Sequence, residues 1–312
     1  MSSSQFSSQA PSPSVLPGIV VIVLTVAAMA LTDAFVKFSS AGLSLWQIYV
    51  LRSLLAIPAL LLLSRGVFRP AAPVWVALRS LALVAMYLAI YAAIPIIDLS
   101  VVAASLYTGP LFIVLLSGVF LREPIAWHQW GAVVIGFGGV VIVVGPAASD
   151  FTPLSLIPVA AALLYALAAV LTRAKCAGEA ALTLAIWLNG FLLICGGAAS
   201  LSIGMLGAGT LPDYPFLFGG WRPVGGREFI VLCVLAFLIV AVSIGLARAY
   251  QSPKPHVIAT FDYTYLIFAA FWGYMFFGEV PGSGTLIGMA LISFAGLLAV
   301  IGPRRARKAA KA

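Results

Sequence analysis

Apolar residues run along this chain in continuous blocks, and each block is about as long as a helix that crosses a bilayer, roughly 20 residues. They fall at 16–38, 44–64, 73–95, 99–121 and 127–145, then at 153–174, 180–206, 228–251, 255–278 and 282–302. The pattern predicts ten transmembrane helices. A barrel would show alternation instead, and inside lipid every backbone N–H and C=O must find its partner within the protein. Most connections are short. The exception is a Gly- and Pro-rich outer loop from Leu206 to Glu228, whose Tyr214, Phe216, Phe218 and Trp221 are expected at the membrane interface beside Asp213. Residues 1–15, rich in Ser, Pro and Gln and without charge, predict a disordered tail. No basic segment or cleavage site accompanies the first apolar block, so it is expected to be a retained span.

The second half of the chain repeats the first. Laying Glu123 on Glu279 also lays Val101 on Val257, Ala103 on Ala259, Tyr107 on Tyr263, Thr108 on Thr264, Phe112 on Phe268 and Phe120 on Phe276. One extra residue in the next turn shifts the match, after which Gly131 meets Gly288, Ile135 meets Ile292, Phe137 meets Phe294 and Gly139 meets Gly296. Two apolar copies of one unit predict a carrier built from internal repeats, with its ligand site where they meet near the bilayer midplane. The expected units are residues 16–146 and 153–303, each with five helices. An odd number of crossings inverts the second copy, so Glu123 would end its helix on the cytoplasmic side and Glu279 on the other.

Composition sharpens this picture. The 312 residues are 63% apolar and 8% charged, with a mean hydropathy of +1.14, too little polar surface for a water-soluble globule. A net charge of +8 raises the possibility of nucleic acid, but Arg304, Arg305, Arg307, Lys308 and Lys311 follow an apolar span directly. A basic cytoplasmic tail at 304–312 accounts for them more simply, and no nucleic-acid partner is expected. Basic residues at Arg65, Arg69, Arg79, Arg122, Arg173, Lys175 and Lys254 place both termini in the cytoplasm by the positive-inside rule, in an inner or plasma membrane. Cys176, Cys195 and Cys233 have no paired spacing and read as small core residues.

Several stretches resemble EamA-type members of the drug/metabolite transporter superfamily: Asp33 to Lys37, Arg52-Ser53, Gly109 to Phe112, Ala247 to Tyr250 and Phe261 to Tyr263. The paired helix ends Leu121-Arg122-Glu123 and Phe277-Gly278-Glu279 carry the likeness furthest, and it extends from Val15 to Pro303. The resemblance implies ten helices in two inverted repeats and alternating access. It leaves the cargo open among amino acids, vitamins, nucleotide-linked metabolites and drugs. The loop before Glu228 is longer than the usual connection, and nothing is carried onto it.

A charge inside a span costs about 2.5 to 3.5 kcal/mol on insertion scales, so retained charges are the first candidates for function. Asp33 and Lys37 lie one turn apart on the first helix with Arg52 on the second, a set able to neutralise itself. Arg248 and Asp262 flank the turn between the eighth and ninth helices and form a second candidate pair. These clusters are expected either as opposing gates or as static neutralisation. Tyr107 and Tyr263 hold equivalent repeat positions, and Gly109-Pro110 weakens the helix just beyond the first. Tyr87, Tyr91, Trp187, Asn189 and Trp272 add stacking surface or amide hydrogen bonds, or serve packing alone. Glu123 and Glu279 read as helix ends. Gly131, Gly136, Gly138, Gly139, Gly288 and Gly296 predict close packing of the fifth and tenth helices, as an internal seam rather than a dimer contact.

No constellation for chemistry appears. His128 and His256 fall in different halves, no Cys or His cluster has metal spacing, and no phosphate-cradling Gly-Lys-Ser/Thr loop occurs. No cofactor is expected. The sequence therefore predicts a secondary transporter, not an enzyme, that moves a small amphipathic metabolite, amino-acid-like, vitamin-like or drug-like, as a monomer or homodimer. A channel-like facilitator and a membrane-embedded lipid-modifying enzyme are the alternatives. Import or export, and a proton gradient or the cargo's own, stay open.

Overall fold

The computed structural model describes residues 16–120, 122, 125–144, 153–206, 214–250, 258 and 261–300, and among these it is entirely helical. The helices are α1 (Leu16–Ser39), α2 (Leu45–Leu63), α3 (Pro73–Ala93), α4 (Leu99–Leu106), α5 (Gly109–Phe120), α6 (Trp127–Val144), α7 (Ile157–Lys175), α8 (Ala181–Leu206), α9 (Pro215–Phe218), α10 (Gly226–Tyr250), α11 (Tyr265–Phe277) and α12 (Ser283–Val300). A single 3-10 turn, Pro153–Leu156, leads into α7. Eight stretches are long and apolar enough to cross a membrane, taking Leu99–Phe120 as one, and Tyr265–Phe277 and Ser283–Ala299 are shorter apolar helices. The chain is an all-α, multi-pass membrane protein.

Local chemistry sets the ends. Ser44 caps α2 by accepting the Gln47 N–H at 3.4 Å, and Pro73 opens α3 where its missing N–H is not needed. Gly278, at φ +68°, takes the left-handed conformation that closes α11. The predicted span over 99–121 is broken at Tyr107-Thr108 into α4 and α5, as the following Gly109-Pro110 leads one to expect. Tyr263-Thr264 makes a similar break before α11. The short helix α9 within the outer loop has no counterpart in the apolar pattern.

Burial is distributed as lipid demands and water forbids. Leu62, Val119, Val134, Leu201 and Phe237 are exposed, while Ser44, Gln47, Arg52, Ser53, Thr108 and Asn189 are buried. Cys176, just past α7, is buried too, and burial pushes its thiol pKa up, which fits a small core residue.

The helices meet largely in antiparallel pairs: α6 with α12, α4 with α11, α2 with α8, α1 with α10, and α3 with α7. Glycine makes the first of these possible. A Cβ added at Gly288 would stand 2.7 Å from the Gly139 carbonyl oxygen, and one at Gly139 would stand 3.0 Å from that of Gly288. The two backbones touch there, the internal seam expected from sequence. Gly136 is needed against Leu111 and Ala295, and Gly296 against Tyr263. Gly131 and Gly138 face open space, so their expected part in this packing does not hold.

Candidate functional site

At the centre of the bundle a set of phenols surrounds one arginine and one aspartate. Arg52, on α2, is completely buried, and none of its three guanidinium nitrogens has a hydrogen-bond partner among the described residues. Its nearest organised contact is the Tyr49 ring, one turn earlier, with the guanidinium carbon 5.9 Å from the centroid. Tyr49 packs on Tyr91 of α3 at 6.2 Å between ring centroids, and Tyr91 on Tyr87 at 5.5 Å. The Tyr49 hydroxyl is likewise buried without a partner.

Asp33 faces this cluster from α1, half-buried, and its Oδ2 accepts a short hydrogen bond from the Tyr265 hydroxyl on α11. It also lies within the electrostatic reach of Arg52 and Tyr91. Tyr265 stacks on Tyr107 with centroids 4.9 Å apart, and Tyr107 meets Tyr263 edge-on at 5.4 Å. The helix break at Tyr107-Thr108 aims this tyrosine inward.

Lys37 turns away from that centre. Its Nζ donates to Glu279 in a short ion pair, donates to the Ile97 carbonyl at 2.9 Å, and lies 5.1 Å from the Phe277 ring centroid. The other Glu279 oxygen accepts the Leu99 N–H at 2.8 Å. The expected neutralisation of Asp33 by Lys37 is therefore replaced by separate attachments, because Glu279 offers Lys37 a full charge with a second anchor in the α4 N-terminus. Glu279 is more than a helix end. Together, Asp33 with Tyr265 and Lys37 with Glu279 fasten α1 to α11 and its exit.

Above this layer, residues 214–222 lie across the helix ends. The Tyr214 hydroxyl donates to the Ala92 carbonyl, Trp46 Nε1 donates to Leu217 O at 2.7 Å, and the buried Gln47 amide grips both the N–H and the C=O of Arg222 at 3.2 and 2.8 Å. Phe216 is buried beneath it. At the opposite end, Arg79 donates to Thr172 Oγ1 at 3.0 Å and to Leu184 O at 3.4 Å, joining α3 to α7 and α8.

Trp187 donates to the Phe68 carbonyl at 2.9 Å and stacks on Phe191. Asn189 is buried on α8, its Nδ2 bonded to Ala185 O and its Oδ1 without a partner among the described residues. Trp272 packs between Phe271 and Phe276. Arg248 is exposed near the end of α10. Asp262 is half-buried in the helical residues just before the Tyr263-Thr264 break and acts electrostatically on Tyr165 and Tyr263. Glu123, Lys254, His256, Asp213 and both tails lie outside the described residues. Sequence reasoning missed Tyr49 and Tyr265. Tyr49 sits one turn from a buried charge, a spacing that singles it out; Tyr265 gives no such sign.

Residues 16–145 match the EamA-like transporter family. A riboflavin transporter of Rhizobium johnstonii is 30% identical over 302 residues, covering 95% of this chain and 92% of that protein. The pseudopaline exporter CntI of Pseudomonas aeruginosa is 26% identical over 88% of this chain and 93% of its own length. An S-adenosylmethionine uptake transporter of Rickettsia felis is 25% identical over 68% of this chain and 65% of its own. A solved crystal structure superposes with a TM-score of 0.57 at 17% identity, over 94% of this chain and 98% of that one, a likeness of fold alone.

Proposed function

The chain belongs to the EamA-like transporter family, and we propose that it works by alternating access between two inverted five-helix repeats, residues 16–146 and 153–303, around the tyrosine-lined centre. It is a secondary transporter of small metabolites. The relatives are named for riboflavin, S-adenosylmethionine and pseudopaline, one for uptake and one for export, so the scaffold is read as open to either direction. The cargo here is a small amphipathic molecule, and the membrane is the inner or plasma membrane with both termini in the cytoplasm.

The observation that carries this reading is the meeting of repeat-equivalent parts. Tyr107 and Tyr263, matched in the sequence repeat, touch each other. The matched helices α6 and α12 pack antiparallel, Gly136 facing Ala295 while Val143 faces Gly288. In an inverted duplication, equivalent elements cross antiparallel on a pseudo-two-fold axis, and other contacts occur in related pairs. The neighbours α1–α10 and α7–α3 form such a pair, as do α10–α2 and α3–α8. An alternating-access site belongs on that axis, where Asp33, Arg52, Tyr87, Tyr91, Tyr107 and Tyr263 gather. Lys37 with Glu279 closes one approach, and Arg248, Asp262, Trp187 and Asn189 complete the set of candidate cargo or gating residues.

The test begins with a chain lacking Cys176, Cys195 and Cys233, into which single cysteines are placed at exposed Arg122 and Val280. An impermeant thiol reagent should reach the two from opposite sides of the bilayer. Labelling from the same side refutes the inversion. Reconstituted protein should show saturable counterflow with little current, which separates a carrier from a channel.

A further inference from the structure

Arg52 is a fully buried cation whose donors meet no acceptor among the described residues. A guanidinium stays cationic in a protein and carries five N–H donors in a planar fork. Leaving such a group unpaired in a protein interior is strongly unfavourable. Asp33 supplies opposite charge within electrostatic reach, but its carboxylate accepts from the Tyr265 hydroxyl, and the ion pair of this region among the described residues joins Lys37 to Glu279. The Tyr49 ring touches the guanidinium face and satisfies no donor. The Tyr49 hydroxyl, also buried, lacks a partner as well. Beside these open donors stand the rings of Tyr49, Tyr91 and Tyr87, a phenol array with apolar faces.

Resting on the transport reading, the geometry points to a cargo that is an organic anion: a carboxylate held by the Arg52 fork and the Tyr49 hydroxyl, on a flat apolar body stacked against the α2 and α3 tyrosines. Carboxylate geometry matches the fork with two parallel N–H···O bonds. A neutral flat molecule would leave the guanidinium charge uncompensated, and a cation would add repulsion to it. Occupation completes the hydrogen bonding of α2, so the bound state is the one in which Arg52 is no longer a liability.

Thermal unfolding of the purified full-length protein, with indole-3-acetate and phenylacetate each against its carboxamide, tests this. The acids should raise the unfolding temperature in proportion to the logarithm of their concentration, and the amides should not. Arg52→Gln should fold, since it removes an unpaired charge, and should bind the acids about 10- to 100-fold more weakly. Arg52→Lys keeps the charge without the fork and should fall between them. Equal protection by amides, unchanged acid binding in Arg52→Gln, or no protection by either acid overturns the proposal. Counterflow in liposomes keeps the two readings apart. Exchange of amides without acids sinks the anion anchor and leaves transport standing, whereas acid binding without exchange of either sinks transport and leaves the anchor.

Discussion

The ion pair of Lys37 with Glu279 should hold the approach beside Leu99 closed, and removing its charge should open it. The side chains of Lys37 and Glu279 retain only 12% and 11% of their accessibility, so water screens the pair little. Glu279→Gln keeps an acceptor for the Leu99 N–H, 2.8 Å away in the native protein, but leaves the ammonium of Lys37 with the Ile97 carbonyl as its strong acceptor. A charged hydrogen bond in such surroundings contributes about 1.5 to 3 kcal/mol. If that energy belongs to the closed form, the open population rises about 10- to 100-fold, since each 1.4 kcal/mol is tenfold. Ser100 is a suitable reporter: it adjoins Leu99, is 2% exposed, and its hydroxyl has no partner among the described residues. In a cysteine-free background, Ser100→Cys should react with an impermeant reagent faster by that factor once Glu279→Gln is added. Lys37→Met should act in the same direction. The double variant has no orphaned charge, so its rate should fall well short of the product of the single effects. A reporter indifferent to both single changes, or rates that simply multiply, would refute the closure assigned to this pair.

Four further outcomes are expected. Tyr265→Phe removes the donor to Asp33 while keeping the ring stacked on Tyr107, so counterflow should fall with little change in unfolding temperature; equal rates would place that bond outside transport. Gly278→Ala has open space for its methyl and meets only the left-handed backbone penalty, about 1 kcal/mol, measurable as a small drop in unfolding temperature. Gly288→Ala would push a methyl to 2.2 Å from Val143 Cγ2 and should destabilise by about 1 to 3 kcal/mol, whereas Gly138→Ala, in open space, should be tolerated. Gln47→Leu strips both backbone groups of Arg222 of their partner and should speed proteolysis of residues 214–225.

How far the sequence reached depended on the range of the interaction concerned. Spans were legible because lipid imposes length and apolarity on each one independently, and the break at Tyr107-Thr108 because Gly109-Pro110 is a local signal. Partners across the bundle were not. A helical spacing set Asp33 and Lys37 on one face and suggested that they join, yet each is taken by a residue more than 200 positions away, Tyr265 and Glu279. Spacing along one helix says which side chains are near; it carries no information on what a neighbouring helix offers them. Glu279 was read as a helix end on equally local grounds, and it is one, at the exit of the left-handed Gly278. That turn is also what brings its carboxylate back to Leu99 and Lys37, so the same residue ends a helix and binds α1 to α4. Arg52 differs from both. The expectation gave it Asp33 as a partner, and the fold withholds that direct bond by giving Asp33 to Tyr265. With no acceptor for the guanidinium among the described residues and aromatic faces beside it, this buried charge is the feature on which the proposed anion site rests.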